Sequence, residues 1–242
     1  MGRPLPKGAA GAGAPAAHPS IMQFLDRDEA GIHLARALAS HGTPDALVLA
    51  LPRGGVPVGW QVARLLALPL EVIVARKVCA RSAPDMGLGA VAEGGIRQVN
   101  LGMAGALGVS PEVLSEAIHA AEAEVARRVR LYRAGRPLPP VAGRTVLLVD
   151  DLIARGAKMK AAVETLRSRG VGRLVVAAPV AAAPIADQLA DRVEAVVALV
   201  RPATVSGVEE CYQQARRVSD AEVVEILARP RYAPEEAEPA AP

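Results

Sequence analysis

Aromatic residues are nearly missing from this chain: Phe, Trp and Tyr make up 2% of its 242 residues. A platform on which successive nucleobases stack is thereby excluded. The core must be filled by Val, Leu, Ile and Ala, which suits parallel strands buried beneath helices. Cysteine is also scarce. Cys79 and Cys211 stand far apart, with no CxxC spacing, so neither a disulfide framework nor a zinc site is indicated, and both are expected to be buried thiols. No uninterrupted run of about 18 apolar residues occurs. The opening stretch, with Arg3 and Lys7 among Gly, Ala and Pro, lacks the apolar segment of a secretory signal, so a cytoplasmic protein without a membrane span is expected. Dense basic runs are absent as well. Scattered Arg residues argue against nucleic acid as a partner, although the net charge of +3 suits an anionic ligand.

What is present is ample apolar material, 51% of residues, enough for one α/β domain. Residues 1–20 are mainly Gly, Ala and Pro, and residues 229–242 mainly Pro, Ala and Glu; both are expected to be disordered tails around a folded unit over 21–228. Within it, apolar periodicity predicts a helix over 27–40, a strand at 47–51, a helix over 57–66 and a strand at 71–75. A hairpin turning at Gly94 and Gly95 follows, then a long helix opened by Ser110 and Pro111 that runs to about Arg133. Next come a strand at 146–149, a helix over 158–169 ended by Gly170, a strand at 174–178, a helix over 184–190, a strand at 193–200 and a closing helix over 219–227. Alternating strand and helix predicts a doubly wound parallel sheet, with ligands beyond the carboxyl ends of its strands.

Two loops at such ends carry chemistry. The first strand runs into Leu51-Pro52-Arg53-Gly54-Gly55-Val56-Pro57. Adjacent glycines let backbone N–H groups converge as an anion nest, the following helix adds its positive end, and Arg53 can supply a forked contact. An ordinary strand-to-helix turn would use the same glycines only to avoid strain. In the second loop an apolar strand delivers Asp150 and Asp151 ahead of Leu152-Ile153-Ala154-Arg155-Gly156-Ala157-Lys158. The two acids could accept hydrogen bonds from ribose hydroxyls or hold a hydrated Mg²⁺ that also touches pyrophosphate, with residues 154–158 wrapped around a phosphate. They could equally only cap the next helix. A phosphoacceptor receiver domain also carries paired acids after such a strand, but at its first strand; here a βαβ unit precedes them and no further strand-end Asp follows.

Taken together these motifs resemble the type I phosphoribosyltransferase superfamily, in particular a bacterial group of predicted phosphoribosyltransferases. The resemblance spans Phe24-Leu25-Asp26-Arg27, the loop at 51–58, Arg76-Lys77, Gly89 through Gly95, Tyr132-Arg133, the segment 146–159, Tyr212 and Ser219 through Val223. It implies the fold of that superfamily, with a small hood formed from terminal segments. It further implies that Arg53, Gly54 and Gly55 meet pyrophosphate, and that Arg76 and Lys77 stand at the mouth of a mobile segment over 78–86, where a cation offsets the leaving group. A solvated strand end is the plainer reading of those two cations. Asp150 and Asp151 would hold the ribose hydroxyls, with Mg²⁺ bound largely by the ligand's own oxygens, while Ala154, Arg155, Gly156, Ala157 and Lys158 cradle the 5-phosphate. Arg53, Lys77 and Asp151 are the candidate catalytic residues. The implied partners are phosphoribosyl pyrophosphate or a nucleoside monophosphate and an acceptor that the sequence does not specify, with a homodimer as candidate assembly. His18, His33, His41 and His119 lie away from the expected strand ends, Trp60 is expected in the core or an interface, and Tyr212 is a candidate ligand contact as well as a candidate core residue.

The phosphate loop departs from the superfamily's usual Ala-Thr-Gly-Ala-Thr: Arg155 and Lys158 replace both hydroxyl residues, and Leu152 stands where Gly is common. Asp85 replaces the usual Glu. Long cations must fold back or point outward, whereas threonines donate within the loop. Two readings follow: an active transferase, or a catalytically degenerate phosphoribosyl-binding or regulatory module.

Overall fold

The computed structural model describes residues 23–80 and 87–230, so the expected tails, save Arg229 and Pro230, and the segment 81–86 with Asp85 lie outside the described residues. In chain order the first half comprises α1 (Arg27–Ala37), β1 (Leu47–Ala50), α2 (Gly55–Leu65), β2 (Leu70–Val72), β3 (Ala75–Cys79), β4 (Gly87–Ala92), β5 (Ile96–Val99), α3 (Leu101–Ala106) and α4 (Pro111–Arg133). The second half comprises β6 (Thr145–Val149), β7 (Leu152–Ile153), α5 (Ala157–Ser168), β8 (Arg173–Ala181), α6 (Ala183–Ala190), β9 (Ala195–Val200) and α7 (Asp220–Ala228). Among the α-helices of the described residues, only α3, capped by Asn100, has no counterpart in the sequence expectation.

The main sheet is parallel and ordered β2-β1-β6-β8, with β9 and the short β7 both pairing with β8. Successive side chains of a strand point to opposite faces, and here both faces are apolar. Val48, Leu147, Val149, Val175 and Ala177 meet Leu34 of α1, Leu38 at its C-cap, and Val58 and Val62 of α2 on one side. Leu49, Leu148, Val176 and Ala178 meet Met159, Val163 and Leu166 of α5 on the other. This is the doubly wound parallel sheet that the alternation predicts. β8 is longer than expected because its two ends have different partners, β6 first and β7 afterwards.

The expected strand over 71–75 is in fact two. β2 ends at Val72, and β3 belongs to a separate antiparallel sheet, β3-β4-β5, whose hairpin turns at Gly94 and Gly95 with φ of +87° and +83°. The break has a local cause. The Arg133 guanidinium donates to the Val72 carbonyl at 3.0 Å, and Glu93 accepts the Val74 N–H at 3.1 Å, so side chains replace the ladder at the junction. Arg133 and Glu93 also pair with each other through both terminal guanidinium nitrogens, at 1% and 7% side-chain exposure. This buried pair ties the end of α4 to both sheets. Ser110 caps α4, accepting the Val113 N–H, with Pro111 as the first helical residue.

The terminal segments meet beside the strand tips. Phe24 bridges to Tyr212, with Phe24 N–H donating to Cys211 O and Gln213 N–H to Phe24 O, each at 2.9 Å. Cys211 is buried, but Cys79, at the end of β3, is only half-buried, which corrects the expectation of two buried thiols. Among the described residues no helix is long and apolar enough to cross a membrane.

Breaking one partner of a buried pair leaves an uncompensated charge, so Arg133→Met is expected to lower unfolding free energy by about 3–5 kcal/mol. In urea denaturation, adding Glu93→Gln to Arg133→Met should cost much less than the sum of the single changes, because the stranded carboxylate is then gone. Additive losses would show that the two side chains are not coupled.

Candidate active site

β1 and β6 are hydrogen-bonded neighbours running the same way, so the glycine-rich and diacidic loops leave adjacent tips of one sheet edge. Their backbones stay joined past the strands, with the Leu51 N–H donating to Val149 O at 2.8 Å. The loops then pack directly on each other. A Cβ on Gly54 would fall well inside contact distance of the Asp151 carboxylate, and one on Gly55 would lie 2.9 Å from Asp150 Cα and from Val149 O. Gly54 has ordinary right-handed backbone angles, φ −61° and ψ −31°. Both glycines are therefore required by close approach rather than by an unusual φ. The expected nest is also smaller than two adjacent glycines suggest: the Gly55 N–H donates to Leu51 O at 3.2 Å and the Val56 N–H to Arg53 O at 3.1 Å, inside the turn. The Pro52–Arg53 peptide is cis.

Both acids are buried, Asp150 at 2% and Asp151 at 7% exposure. Asp150 Oδ1 accepts the Asp151 N–H at 3.0 Å, and its Oδ2 faces Lys158 Nζ at 3.2 Å. Asp151 Oδ2 accepts Arg27 Nε at 2.8 Å. Arg27 in turn donates to Arg216 O at 2.8 Å and lies over the Tyr212 ring, 5.2 Å from its centroid. The Tyr212 hydroxyl donates to Asp151 O at 2.7 Å. Burial, then the nearby Asp151 charge, pushes the Tyr212 phenol up, so it remains a donor. Tyr212 is thus a core residue that fixes the diacidic turn from behind.

The acids do not cap α5. Its cap is Gly156, with φ +72°, where a Cβ would also stand 2.5 Å from Ile185 Cγ2. No side chain caps this twelve-residue helix, so its first N–H groups face the space in front of it. That space is an open cleft of about 520 Å³ lined by Lys77, Asp150, Asp151, residues 152–159, and Ser206, Gly207 and Val208. Burial raises the Asp150 carboxyl, Lys158 opposes this, and neighbouring Asp151 adds to it, with the result near 7. Burial works to lower the Lys158 ammonium, but Asp150 and Asp151 outweigh it and hold it above its usual value.

Of the expected site residues, the structure gathers Lys77, Asp150, Asp151, Ala154, Arg155, Gly156, Ala157 and Lys158 around one cleft. Lys158 folds back to Asp150, while Arg155 is exposed at the rim. Gly54 and Gly55 stand behind the carboxylates rather than on the cleft wall. Arg53 reaches Asp220 Oδ1 at 3.5 Å, and Arg76, next to Lys77 on β3, is exposed and does not line the cleft. Asp220 also accepts the Tyr132 hydroxyl at 2.6 Å and Arg127 at 2.8 Å; burial opposes its ionisation, but these donors hold its carboxyl at about 2. His33, His41 and His119 do not line the cleft, and His18 lies outside the described residues.

Sequence reasoning did not single out Arg27 or Ser206 to Val208. Arg27 is 124 positions from its partner, and the only signal was its place directly after the helix cap Asp26 in a motif at the front of the fold. Among the described residues no three His, Cys, Asp or Glu side chains gather as a metal site. The two acids proposed as Mg²⁺ ligands do not present an open pair of oxygens: three of their four oxygens accept protein donors from Asp151 N, Lys158 and Arg27.

A family model described as phosphoribosyl transferase domain matches residues 23–197. A Mycobacterium tuberculosis H37Rv protein, provisionally named a phosphoribosyl transferase, is 36% identical over 206 residues, 85% of this chain, and its counterpart in strain CDC 1551 matches equally. The chain spans about half, 46%, of the length of these curated relatives. The crystal structure of TT1426 from Thermus thermophilus is 40% identical, with a TM-score of 0.69 over 85% of this chain and 98% of that one.

Because the folded state holds the Asp150 carboxyl up near 7, against roughly 3.9 when unfolded, its contribution is fully present below the unfolded value and lost as pH rises toward 7. Asp150→Asn should therefore flatten the decline in denaturation midpoint between about pH 4 and 7. Parallel pH profiles for the two proteins would contradict this. Gly54→Ala forces a methyl group onto Asp151 and should destabilise by about 1–3 kcal/mol, measured by urea unfolding.

Proposed function

The chain belongs to the phosphoribosyl transferase domain family, and we propose that its cleft binds phosphoribosyl pyrophosphate and transfers the phosphoribosyl group to an acceptor with release of pyrophosphate. The observation that carries this reading is the union of a buried acid pair and an uncapped helix start in one cleft. An acid pair suits the vicinal hydroxyls of a ribose, and helix N–H groups suit a phosphate dianion. Their adjacency fits one molecule that carries both.

In this reading the 5-phosphate lies against Ala154 to Lys158 and the ribose hydroxyls against Asp150 and Asp151. The bond between the anomeric carbon and the pyrophosphate oxygen breaks, and the acceptor's electron pair forms the new bond to that carbon. Charge accumulates on the departing pyrophosphate. Lys77, on the cleft wall, offsets it, and Arg53 can do so by leaving its long 3.5 Å contact with Asp220. Rigid placement supplies the rest: Arg27 and Tyr212 hold Asp151 from two sides, so the ribose is oriented at little entropic cost. Ser206, Gly207 and Val208 bring the C-terminal segment to the same cleft, which supports a part for that segment in reading the acceptor. The paired carboxylates do not fit direct ligation of Mg²⁺, so an ion accompanying pyrophosphate would be held by the ligand's oxygens and would offset charge there. Residues 21–228 form the proposed unit of activity, in the cytoplasm.

The test is calorimetric binding of phosphoribosyl pyrophosphate together with pyrophosphate release across a panel of nucleobases and amines. Asp151→Asn should lower release by about 100-fold, the scale of losing a group that acts on the transition state. Binding without turnover would instead support a binding module, the reading that the Lys158 contact to Asp150 favours. No binding at all would remove the assignment.

A further inference from the structure

Two carboxylates side by side in a cleft repel an incoming phosphate, and a divalent cation is the common remedy. This chain carries its own. Arg27 is matched to Asp151 and Lys158 to Asp150, so the acid pair is neutralised by protein cations before any ligand arrives. The two cations are held differently. Arg27 is buried, donates a second time to Arg216 O and lies over Tyr212, so it is fixed in place. Lys158 is held by one contact of 3.2 Å and keeps 34% of its side chain exposed, within the cleft. It also sits in the first turn of α5, where its own backbone belongs to the helix start that faces the same space. An ammonium on a flexible stem at that position can touch Asp150 and an anion at the helix start together.

We propose that the Lys158 ammonium takes the place of a divalent cation between Asp150 and the phosphate of a bound sugar, so that phosphoribosyl ligands bind this chain without Mg²⁺. The inference rests on the reading of the cleft given above. It assigns Lys158 a role in ligand affinity that Lys77 on β3, another cation of the cleft wall, does not share, because Lys158 is the lysine that faces Asp150, at 3.2 Å.

The experiment is calorimetric titration of the full chain with phosphoribosyl pyrophosphate and, separately, ribose 5-phosphate, each in EDTA and in Mg²⁺. The unaltered protein should bind both ligands in EDTA within a few-fold of its affinity in Mg²⁺. Lys158→Thr should lose about 10- to 100-fold in EDTA, the scale of one charge-assisted contact, and regain part of it when Mg²⁺ is added. Lys158→Arg, which keeps the charge, should retain binding in EDTA and shows that the loss is not a folding defect. If the unaltered protein binds only with Mg²⁺, or Lys158→Thr binds as tightly as the parent in EDTA, the lysine has no such role, while the cleft assignment stands. If neither ligand binds in either condition, the cleft assignment itself fails and this inference with it.

Discussion

Everything in this cleft depends on how closely two neighbouring strand tips approach. β1 and β6 are paired along the whole of β1, and the backbone bond from Leu51 to Val149 continues the pairing into the loops. The chain after β1 must then turn within contact distance of the acids after β6. Only a residue without a Cβ fits at 54 and 55, whatever its backbone angles. The steric condition has an electrostatic result. Asp150 and Asp151 are pressed out of water, and a buried carboxylate persists only where donors replace its hydration.

Those donors come from distant parts of the chain, and they organise it. Arg27 brings the start of α1, Tyr212 and Arg216 bring the C-terminal segment, and Lys158 brings the first turn of α5. Pairing of Phe24 with the segment around Tyr212 holds the two termini of the described fold together behind the acids. The second buried pair, Glu93 with Arg133, does comparable work away from the cleft, joining α4 to both sheets. A core built almost wholly of Val, Leu, Ile and Ala supplies little orientational specificity by itself, and these polar ties supply it.

The strands and helices were legible because apolar periodicity is a local property. β1 and β6 are apolar runs, α4 has Ser110 and Pro111 at its start, and Gly94 and Gly95 take positive φ at the hairpin. Expectations failed where the decisive group was remote. The division of the stretch 71–75 into β2 and β3 follows from Arg133 and Glu93, which capture backbone groups at Val72 and Val74, and nothing in the local sequence marks it. The glycines at 54 and 55 were anticipated for turning and nest formation, but they serve close approach to residues about a hundred positions away.

By itself, then, the sequence determined the alternation of strand and helix, the acids at a strand end, and the hairpin turn at Gly94 and Gly95, since each depends on neighbours within one turn or one strand. Only the tertiary structure decided which charges meet. Ion pairing depends on separations of a few ångströms, and in this fold those are set between Arg27 and Asp151 or Lys158 and Asp150 by the packing of whole helices against the sheet rather than by the residues beside them.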